Sequence, residues 1–191
     1  MFTFKDKYFL IIESIKDLDI NKIKLINKYI IIYRNTNKLE NLQDLIRFRR
    51  FCRSKKITFF VANNVKLSTE ISADGIYISA HNNNLNLARF KNSNYKLIGS
   101  AHNLKELKIK ISQGCTTIIY SRLFKVSHEY KRGYLGVIKY NLFRLSRNEN
   151  IIPLGGIKIS NLNKLKMVKT NSFAIMSEIK KKPAKIFNRL F

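Results

Sequence analysis

Two consecutive glycines follow a run of apolar residues in the segment IIPLGGI, residues 151–157. Glycines at the end of a buried strand allow the backbone to approach an anion closely and to point its N–H groups at it. A tight turn would account for Gly155 and Gly156 equally well. The pair alone therefore leaves open both a phosphate site and a structural turn.

The segment FAIMSEI, residues 173–179, carries a second signal. Its apolar run ends at Met176, and Ser177 opens a short helical stretch. Many (β/α)8 barrels build a phosphate site from the loop after strand seven and a short helix after strand eight. The two segments in this order predict a phosphate site formed by Gly155 and Gly156 together with Met176 and Ser177.

Eight short apolar runs alternate with segments of helical periodicity, which is the pattern of βα units around a parallel sheet. The runs are nearly continuous in apolar or β-branched residues, as in strands buried on both faces. There is no GxGxxG fingerprint after the first run and no P-loop, so nothing favours a nucleotide-binding open sheet. We predict an α/β fold, a small single-domain (β/α)8 TIM barrel spanning residues 1–191. The predicted strands are Tyr8–Ile12, Tyr29–Tyr33, Ile57–Val61, Gly75–Ile78, Lys96–Gly99, Thr117–Tyr120, Ile151–Leu154 and Phe173–Met176.

Apolar residues recur at helical spacing between the predicted strands and after the last of them. Asn103, with Glu106 three residues later, is expected to cap one helix, and Ser160 another. Pro183 suits the first turn of a final helix. The apolar positions are Leu42, Leu45, Ile46 and Cys52, then Leu104, Leu107 and Ile111, then Leu162, Leu165 and Val168, and finally Ile186, Phe187 and Leu190.

The chain of 191 residues is 45% hydrophobic, which suits one domain with a buried core and excludes a disordered chain. No apolar run approaches the roughly 18–20 residues of a membrane span. Acids follow the short apolar run near the N-terminus, and no small-residue cleavage site appears, so we expect a first strand in a cytoplasmic protein. Cys52 and Cys115 fit no metal or redox spacing and are expected to be small buried hydrophobes.

The formal net charge is +25, with 37 lysines and arginines against 12 acids. One interpretation is an anionic partner such as nucleic acid, an acidic membrane or a phosphorylated ligand. The other is biased codon usage, because Lys, Ile and Asn are abundant throughout and the lysines form no dense block or aromatic-interleaved RNA motif. Either way, the charge predicts salt-sensitive, nonspecific binding to polyanions.

Six segments, taken in order along the chain, resemble motifs of the thiamine phosphate synthase family, which also contains thiazole tautomerases. The resemblance covers nearly the whole chain and rests on the ordered set rather than on any one motif. It includes a second-strand arginine, Arg34, and a strand-five serine, Ser100, that precedes His102 by two residues. The segments are IIIYR at 30–34, SADGIYIS at 72–79, IGSAHN at 98–103, SRLF at 121–124, PLGGI at 153–157 and AIMSEI at 174–179.

This resemblance implies a transferase that joins a pyrimidine methyl diphosphate to a thiazole phosphate. Diphosphate leaves, a pyrimidine cation forms, and the thiazole nitrogen captures it. Such a reaction needs no nucleophile from the enzyme, but it needs magnesium and cationic side chains at the departing diphosphate. By the same resemblance, Arg34 and Ser100 would face this second anion. A salt-bridged strand end for Arg34 and a helix cap for Ser100 are the structural alternatives.

Several positions depart from the family pattern. The Asn-Asp pair at the end of strand three reads Ala62-Asn63, and the aspartate after strand four reads Asn82. A neutral amide binds magnesium far more weakly than a carboxylate, so a metal at Asn63 and Asn82 is doubtful. Within the substrate pocket, the second-strand glutamine reads Ile32 and the strand-four histidine reads Tyr77.

The loop after strand six departs as well. The family's Thr-x-Thr-Lys appears at residues 126–129 as Val-Ser-His-Glu, and Lys125 and Lys131 are nearby as possible replacement cations. The histidine that marks the tautomerases aligns with Arg122, a further pocket residue, so tautomerase activity is not supported. Asp74 is expected to tie down a turn, and His81, His102 and His128 show no metal-site spacing.

Three hypotheses remain. The first is a synthase-type transferase that binds thiazole phosphate and pyrimidine diphosphate. The second is a noncatalytic relative that binds a phosphorylated metabolite. The third is a basic polyanion-binding protein on a barrel scaffold. Its affinity for polyanions would not change on substitution of Gly156 or Ser177. The small size predicts clipped outer helices, which would make the barrel depend on a partner subunit such as a second copy of the chain.

Overall fold

The computed structural model describes residues 7–23, 27–35, 40–92, 95–126, 133–177 and 179. Eight strands alternate with helices in these ranges, and all eight predicted strands are confirmed with bounds that differ by no more than two residues. The strands are β1 (Lys7–Ile12), β2 (Tyr29–Tyr33), β3 (Thr58–Ala62), β4 (Gly75–Ile78), β5 (Lys96–Ala101), β6 (Thr117–Ser121), β7 (Asn150–Leu154) and β8 (Ser172–Ile175).

The strands form one parallel sheet in which consecutive strands from β1 to β7 pair with each other and β1 also pairs with β8. The sheet therefore curves back on itself until β7 lies beside β8. Within the described residues, β7 and β8 share no backbone ladder. The predicted (β/α)8 TIM barrel is confirmed as the fold class.

The connecting helices are few and short. Within the described residues, four are α-helices: α1 (Leu42–Ser54) before β3, α2 (Val65–Glu70) before β4, α3 (Leu104–Ser112) before β6 and α4 (Gly136–Leu145) before β7. The other connections contain 3₁₀ helices at Ile15–Asp17, Ile20–Lys22, Leu85–Asn92 and Ile159–Met167. Clipped outer helices were expected from the chain length. No helix in the described ranges is long and apolar enough to cross a membrane.

Of the two capping residues predicted from the sequence, one is confirmed and the other is wrong. The Asn103 side chain accepts a hydrogen bond from the Glu106 N–H at 2.9 Å, as expected for α3. The prediction for Ser160 is wrong, because Ser160 lies inside the 3₁₀ helix Ile159–Met167. The Asn161 side chain instead accepts from the Lys158 N–H at 2.8 Å and fixes the helix start. The final helix expected after Pro183 lies outside the described residues.

The core has two layers, because alternate residues of each strand point to opposite faces. One set fills the barrel interior, and the other packs against the surrounding helices and loops. In β1, Phe9 and Ile11 belong to the inner set, and Tyr8, Leu10 and Ile12 to the outer one. The fully buried inner set is Phe9, Ile11, Ile32, Phe60, Tyr77, Ile98, Ile119, Ile152 and Ala174.

Both cysteines and Asp74 are structural. Cys52 and Cys115 are buried thiols, and burial raises the pKa of each to about 12, as expected for inert core residues. Asp74 accepts hydrogen bonds from Arg49 Nη2 at 2.8 Å and from the Phe59 N–H at 2.7 Å. Arg49 is only 4% exposed, so this ion pair fastens α1 to the turn before β4.

Candidate functional site

The barrel interior is filled with side chains, so a ligand has room only at an end of the barrel. In barrels of this type, reactive groups lie beyond the carboxyl ends of the strands. Here the inner set continues at that end into polar or small residues. The inward positions are Glu13 after β1, Arg34 after β2, Ala62 in β3, Ser79 after β4, Ser100 in β5, Ser121 in β6, Leu154 in β7 and Met176 after β8. We call this end the mouth.

Arg34, Tyr77 and Ser100 come together at the mouth. Tyr77 is 2% exposed, and the Ser100 side chain and the Arg34 charge lie close enough to act on its hydroxyl. Burial raises the Tyr77 pKa, while the Ser100 hydrogen bond and Arg34 oppose the rise. The Tyr77 phenol therefore stays protonated at neutral pH.

The structural alternatives were a salt-bridged strand end for Arg34 and a helix cap for Ser100, and neither is seen among the described residues. Asn103, not Ser100, caps α3. Arg34 forms no ion pair with any residue in the described part of the chain. Ser100 is 7% exposed and lies close to the Tyr77 hydroxyl. Ile32 is 0% exposed and forms the floor beneath Arg34.

The two glycines after β7 have left-handed backbone angles, with φ of +96° at Gly155 and +68° at Gly156. The loop after β6 crosses directly over them. The Phe124 N–H donates to the Gly155 carbonyl at 2.9 Å, and a methyl group on Gly156 would lie about 2.6 Å from the Lys125 carbonyl oxygen. Glycine is therefore required here by chain crossing as well as by any anion.

The glycine loop still has an unused donor. Among the described residues, no acceptor pairs with the Gly156 N–H. The Gly156 carbonyl accepts from Asn161 Nδ2 at 2.7 Å, which holds the turn from the other side. The Lys125 side chain is exposed beside this turn. Lys131, the other predicted replacement cation, lies outside the described residues.

Arg122 lies across Gly155. A methyl group on Gly155 would meet Arg122 Cγ at 2.9 Å and Cβ at 3.1 Å, so the arginine stem rests on the glycine. Its Nη1 atom is buried, and among the described residues it has no hydrogen-bond partner and no carboxylate pairs with it. A buried unpartnered donor is unfavourable by about 1–3 kcal/mol, which an anion bound next to Gly155 would offset.

The segment after β8 completes this side of the mouth. Met176 packs against the inner core, Ser177 is exposed, and the Ile179 N–H donates to the Met176 carbonyl at 3.2 Å. Because β7 and β8 are neighbours, the two predicted phosphate segments lie at the same edge of the barrel.

Asn63 and Asn82 do not fit a magnesium ion. The Asn63 Oδ1 atom accepts from the Ser79 N–H and from Asn82 Nδ2, both at 3.0 Å, so both of its lone pairs are used. The Asn82 Oδ1 atom accepts from the Asn84 N–H at 3.0 Å. In the described part of the chain, no group of three or more His, Cys, Asp or Glu side chains could hold a metal ion.

The histidines near the mouth belong to the loops. The rings of His81 and His102 stack with centroids 6.2 Å apart, and His102 Nδ1 lies 2.9 Å from Glu106 Oε2. Burial raises the Glu106 pKa, but hydrogen bonds from His102 and Asn103 and the His102 charge outweigh it, so the pKa is lowered. His128 lies outside the described residues.

The sequence analysis missed Lys110 and Gln113. Both are 0% exposed, and both reach under the loop after β4 to the Asn82 carbonyl oxygen. Lys110 follows Leu107 by three residues and so lies on the apolar face of α3. A lysine on an apolar helix face was the available signal.

Comparison with known proteins adds to this geometry. The sequence model of the family described as "Thiamine monophosphate synthase" matches residues 21–179. The chain belongs to this family. Two relatives, both named thiamine-phosphate synthase, come from Prochlorococcus marinus. The relative from strain SARG is 27% identical over 129 residues, and that from strain AS9601 is 25% identical over 172 residues.

These matches cover 67% and 88% of this chain but only 37% and 48% of the two relatives, so the chain spans less than half of their length. The solved thiamine phosphate pyrophosphorylase from Pyrococcus furiosus superposes with a TM-score of 0.71. It is 15% identical in sequence, and the match covers 97% of each chain. This member of the thiamine monophosphate synthase family therefore has the barrel fold.

Proposed function

We propose that this chain is a thiamine phosphate synthase-like protein of thiamine biosynthesis that binds thiazole phosphate at the Gly155–Gly156 edge of the mouth. The observation that carries the proposal is the buried, unpartnered Arg122 Nη1 beside Gly155. Family membership supports the ligand class. A phosphate there would accept from Arg122, from the Gly156 N–H and from the Ser177 hydroxyl.

The second anion of the reaction is a diphosphate, which would lie near Arg34. The Tyr77 hydroxyl, protonated and backed by Ser100, could donate to it. Lys125 and Lys131 would supply further positive charge. In the joining reaction the methylene C–O bond breaks, diphosphate leaves with the electron pair, and the thiazole nitrogen lone pair forms the new C–N bond. The chain's contribution would be to hold both anions in place and to stabilise the departing charge.

Binding without turnover is the second candidate. The contact between the Asn63 and Asn82 amides favours it, because the family chemistry depends on a cation that these side chains do not fit. The two candidates share the phosphate edge and differ only in product formation. For either, we propose a cytoplasmic protein, in line with the expectation from the sequence.

The test is isothermal titration with thiazole phosphate at moderate salt, with and without the pyrimidine diphosphate, followed by analysis of the mixture for thiamine phosphate. Saturable binding that Arg122→Met weakens supports the phosphate edge. Product in the same mixture supports the transferase, and binding without product supports the second candidate. If nothing binds in any combination, the proposal is wrong. Gly156 is not the position to change, because its φ of +68° and the overlying Lys125 carbonyl make any side chain disruptive.

A further inference from the structure

The loops after β3 and β4 meet in an amide bridge. The Asn63 Nδ2 atom donates to Ser79 Oγ at 2.9 Å, and its Oδ1 atom accepts from the Ser79 N–H and from Asn82 Nδ2. The Asn63 N–H also donates to the Tyr77 carbonyl at 2.9 Å. Four groups of three residues on the β4 side are thus tied to one residue at the end of β3.

A buried lysine supports the same loop from below. Lys110 Nζ donates to the Asn82 carbonyl oxygen and, at 2.9 Å, to Gln113 Oε1. Gln113 Nε2 donates to the Asn82 carbonyl at 2.9 Å and to the Asn84 carbonyl at 3.1 Å. The Lys110 amine therefore has two acceptors that hold it against the loop. Burial lowers the Lys110 pKa, and the nearby Cys115 and Glu106 oppose this shift.

These contacts oppose a divalent cation in three ways. The amides are neutral, so they supply no charge to a hard cation. Both lone pairs of Asn63 Oδ1 are already used. The Lys110 amine lies against the Asn82 backbone, where its charge would repel a metal ion held by the Asn82 side chain. Two carboxylates in place of these amides would repel each other unless a cation lay between them.

We infer that the Asn63–Asn82 bridge and the buried Lys110 replace a divalent cation as the link between the β3 and β4 loops, and that this chain binds no such cation at its mouth. The inference deepens the proposed function, since it makes both anions depend on protein cations alone. It does not depend on that function, because the metal can be tested without any phosphorylated ligand.

The test uses MgCl₂ and MnCl₂ alone, with isothermal titration and thermal unfolding of the full chain. For the unchanged chain we expect no saturable binding and no rise in the unfolding midpoint with millimolar metal. The double variant Asn63→Asp, Asn82→Asp should unfold about 2–4 °C lower in EDTA, because its carboxylates repel each other. It should gain saturable Mn²⁺ binding and recover its midpoint when the metal is added.

Asn83→Asp combined with Asn86→Asp is the matched control, because it adds the same total charge at exposed positions after β4 that lie outside the bridge. It should not bind metal. Lys110→Met, added to the Asn63→Asp, Asn82→Asp variant, should raise its Mn²⁺ affinity severalfold. Stoichiometric metal binding by the unchanged chain that Asn63→Ala abolishes would overturn the inference, as would a double variant no better at binding Mn²⁺ than the control.

Discussion

Replacing Arg122 by methionine should have opposite effects on stability and on binding. Methionine keeps an unbranched apolar stem across Gly155 but removes the guanidinium, whose Nη1 atom is buried without a partner. A buried unsatisfied donor costs about 1–3 kcal/mol. Relief of part of this cost, about 1 kcal/mol, should raise the unfolding midpoint of the ligand-free chain by about 2–4 °C.

The same variant should bind thiazole phosphate more weakly. A hydrogen bond to a charged group contributes about 1.5–3 kcal/mol, which corresponds to roughly a 10- to 100-fold increase in Kd. Calorimetric unfolding without ligand and isothermal titration with thiazole phosphate measure the two effects separately. Arg50→Met is the matched control, because Arg50 is exposed on α1 and remote from the mouth.

The reasoning fails if Arg122→Met lowers the midpoint and leaves the affinity unchanged. That result would mean that the guanidinium packs the loop after β6 and faces no anion. A lowered midpoint together with weaker binding would point to a general loosening of the glycine loop. Arg122→Lys should then be compared, since a lysine restores charge without the planar fork that binds phosphate in a bidentate manner.

Three further predictions concern stability and charge. Gly156→Ala should destabilise the chain by at least about 1 kcal/mol with or without ligand, because of its positive φ and the overlying Lys125 carbonyl, and denaturant unfolding measures this. The pKa of Glu106 is lower in the folded chain, so its carboxylate stabilises the fold at pH values above its unfolded pKa. This contribution is lost as the pH falls through the folded pKa. Stability should therefore fall less steeply with pH in Glu106→Gln than in the unchanged chain, in acid-unfolding curves recorded below about pH 5. Heparin retention should fall steeply with salt and be the same for Arg122→Met as for the Arg50→Met control, because the +25 charge is spread along the chain; a selective loss in Arg122→Met would contradict this.

The strands were predictable because a parallel sheet covered on both sides leaves its signature in the sequence. β1 and β2 are nearly continuous apolar runs, and every residue from Tyr8 to Ile12 is buried. The start of the 3₁₀ helix Ile159–Met167 was harder to predict from the sequence. Its start depends on Asn161 bonding to Lys158 and to Gly156, a local competition that helical periodicity does not encode.

Within the site, the sequence indicated residue types but not their contacts. The sequence shows amides at Asn63 and Asn82 where the family resemblance implies acids. The hydrogen bond between these two side chains joins residues 19 positions apart, and it forms because β3 and β4 are adjacent. The glycine pair suggested an anion, and the structure adds a second reason for it, the crossing of the loop after β6. That Ser100 faces the second anion stays a prediction, and its closeness to Tyr77 depends on the barrel register, which the sequence did not indicate.

The charge at the mouth depends both on the amides Asn63 and Asn82, which stand where the family pattern has acids, and on Arg122. Arg34, Arg122 and Lys125 form no ion pair with a carboxylate of the described residues. Acids at this end of the barrel include Glu13, which follows β1, and Glu106, which pairs with His102. Without metal-binding acids, the site has a surplus of fixed positive charge. Unpaired cations held close together repel each other, and a bound anionic ligand offsets this repulsion. The arrangement therefore suits a ligand with several negative charges, such as a phosphate at Arg122 and a diphosphate at Arg34, better than it suits a neutral metabolite.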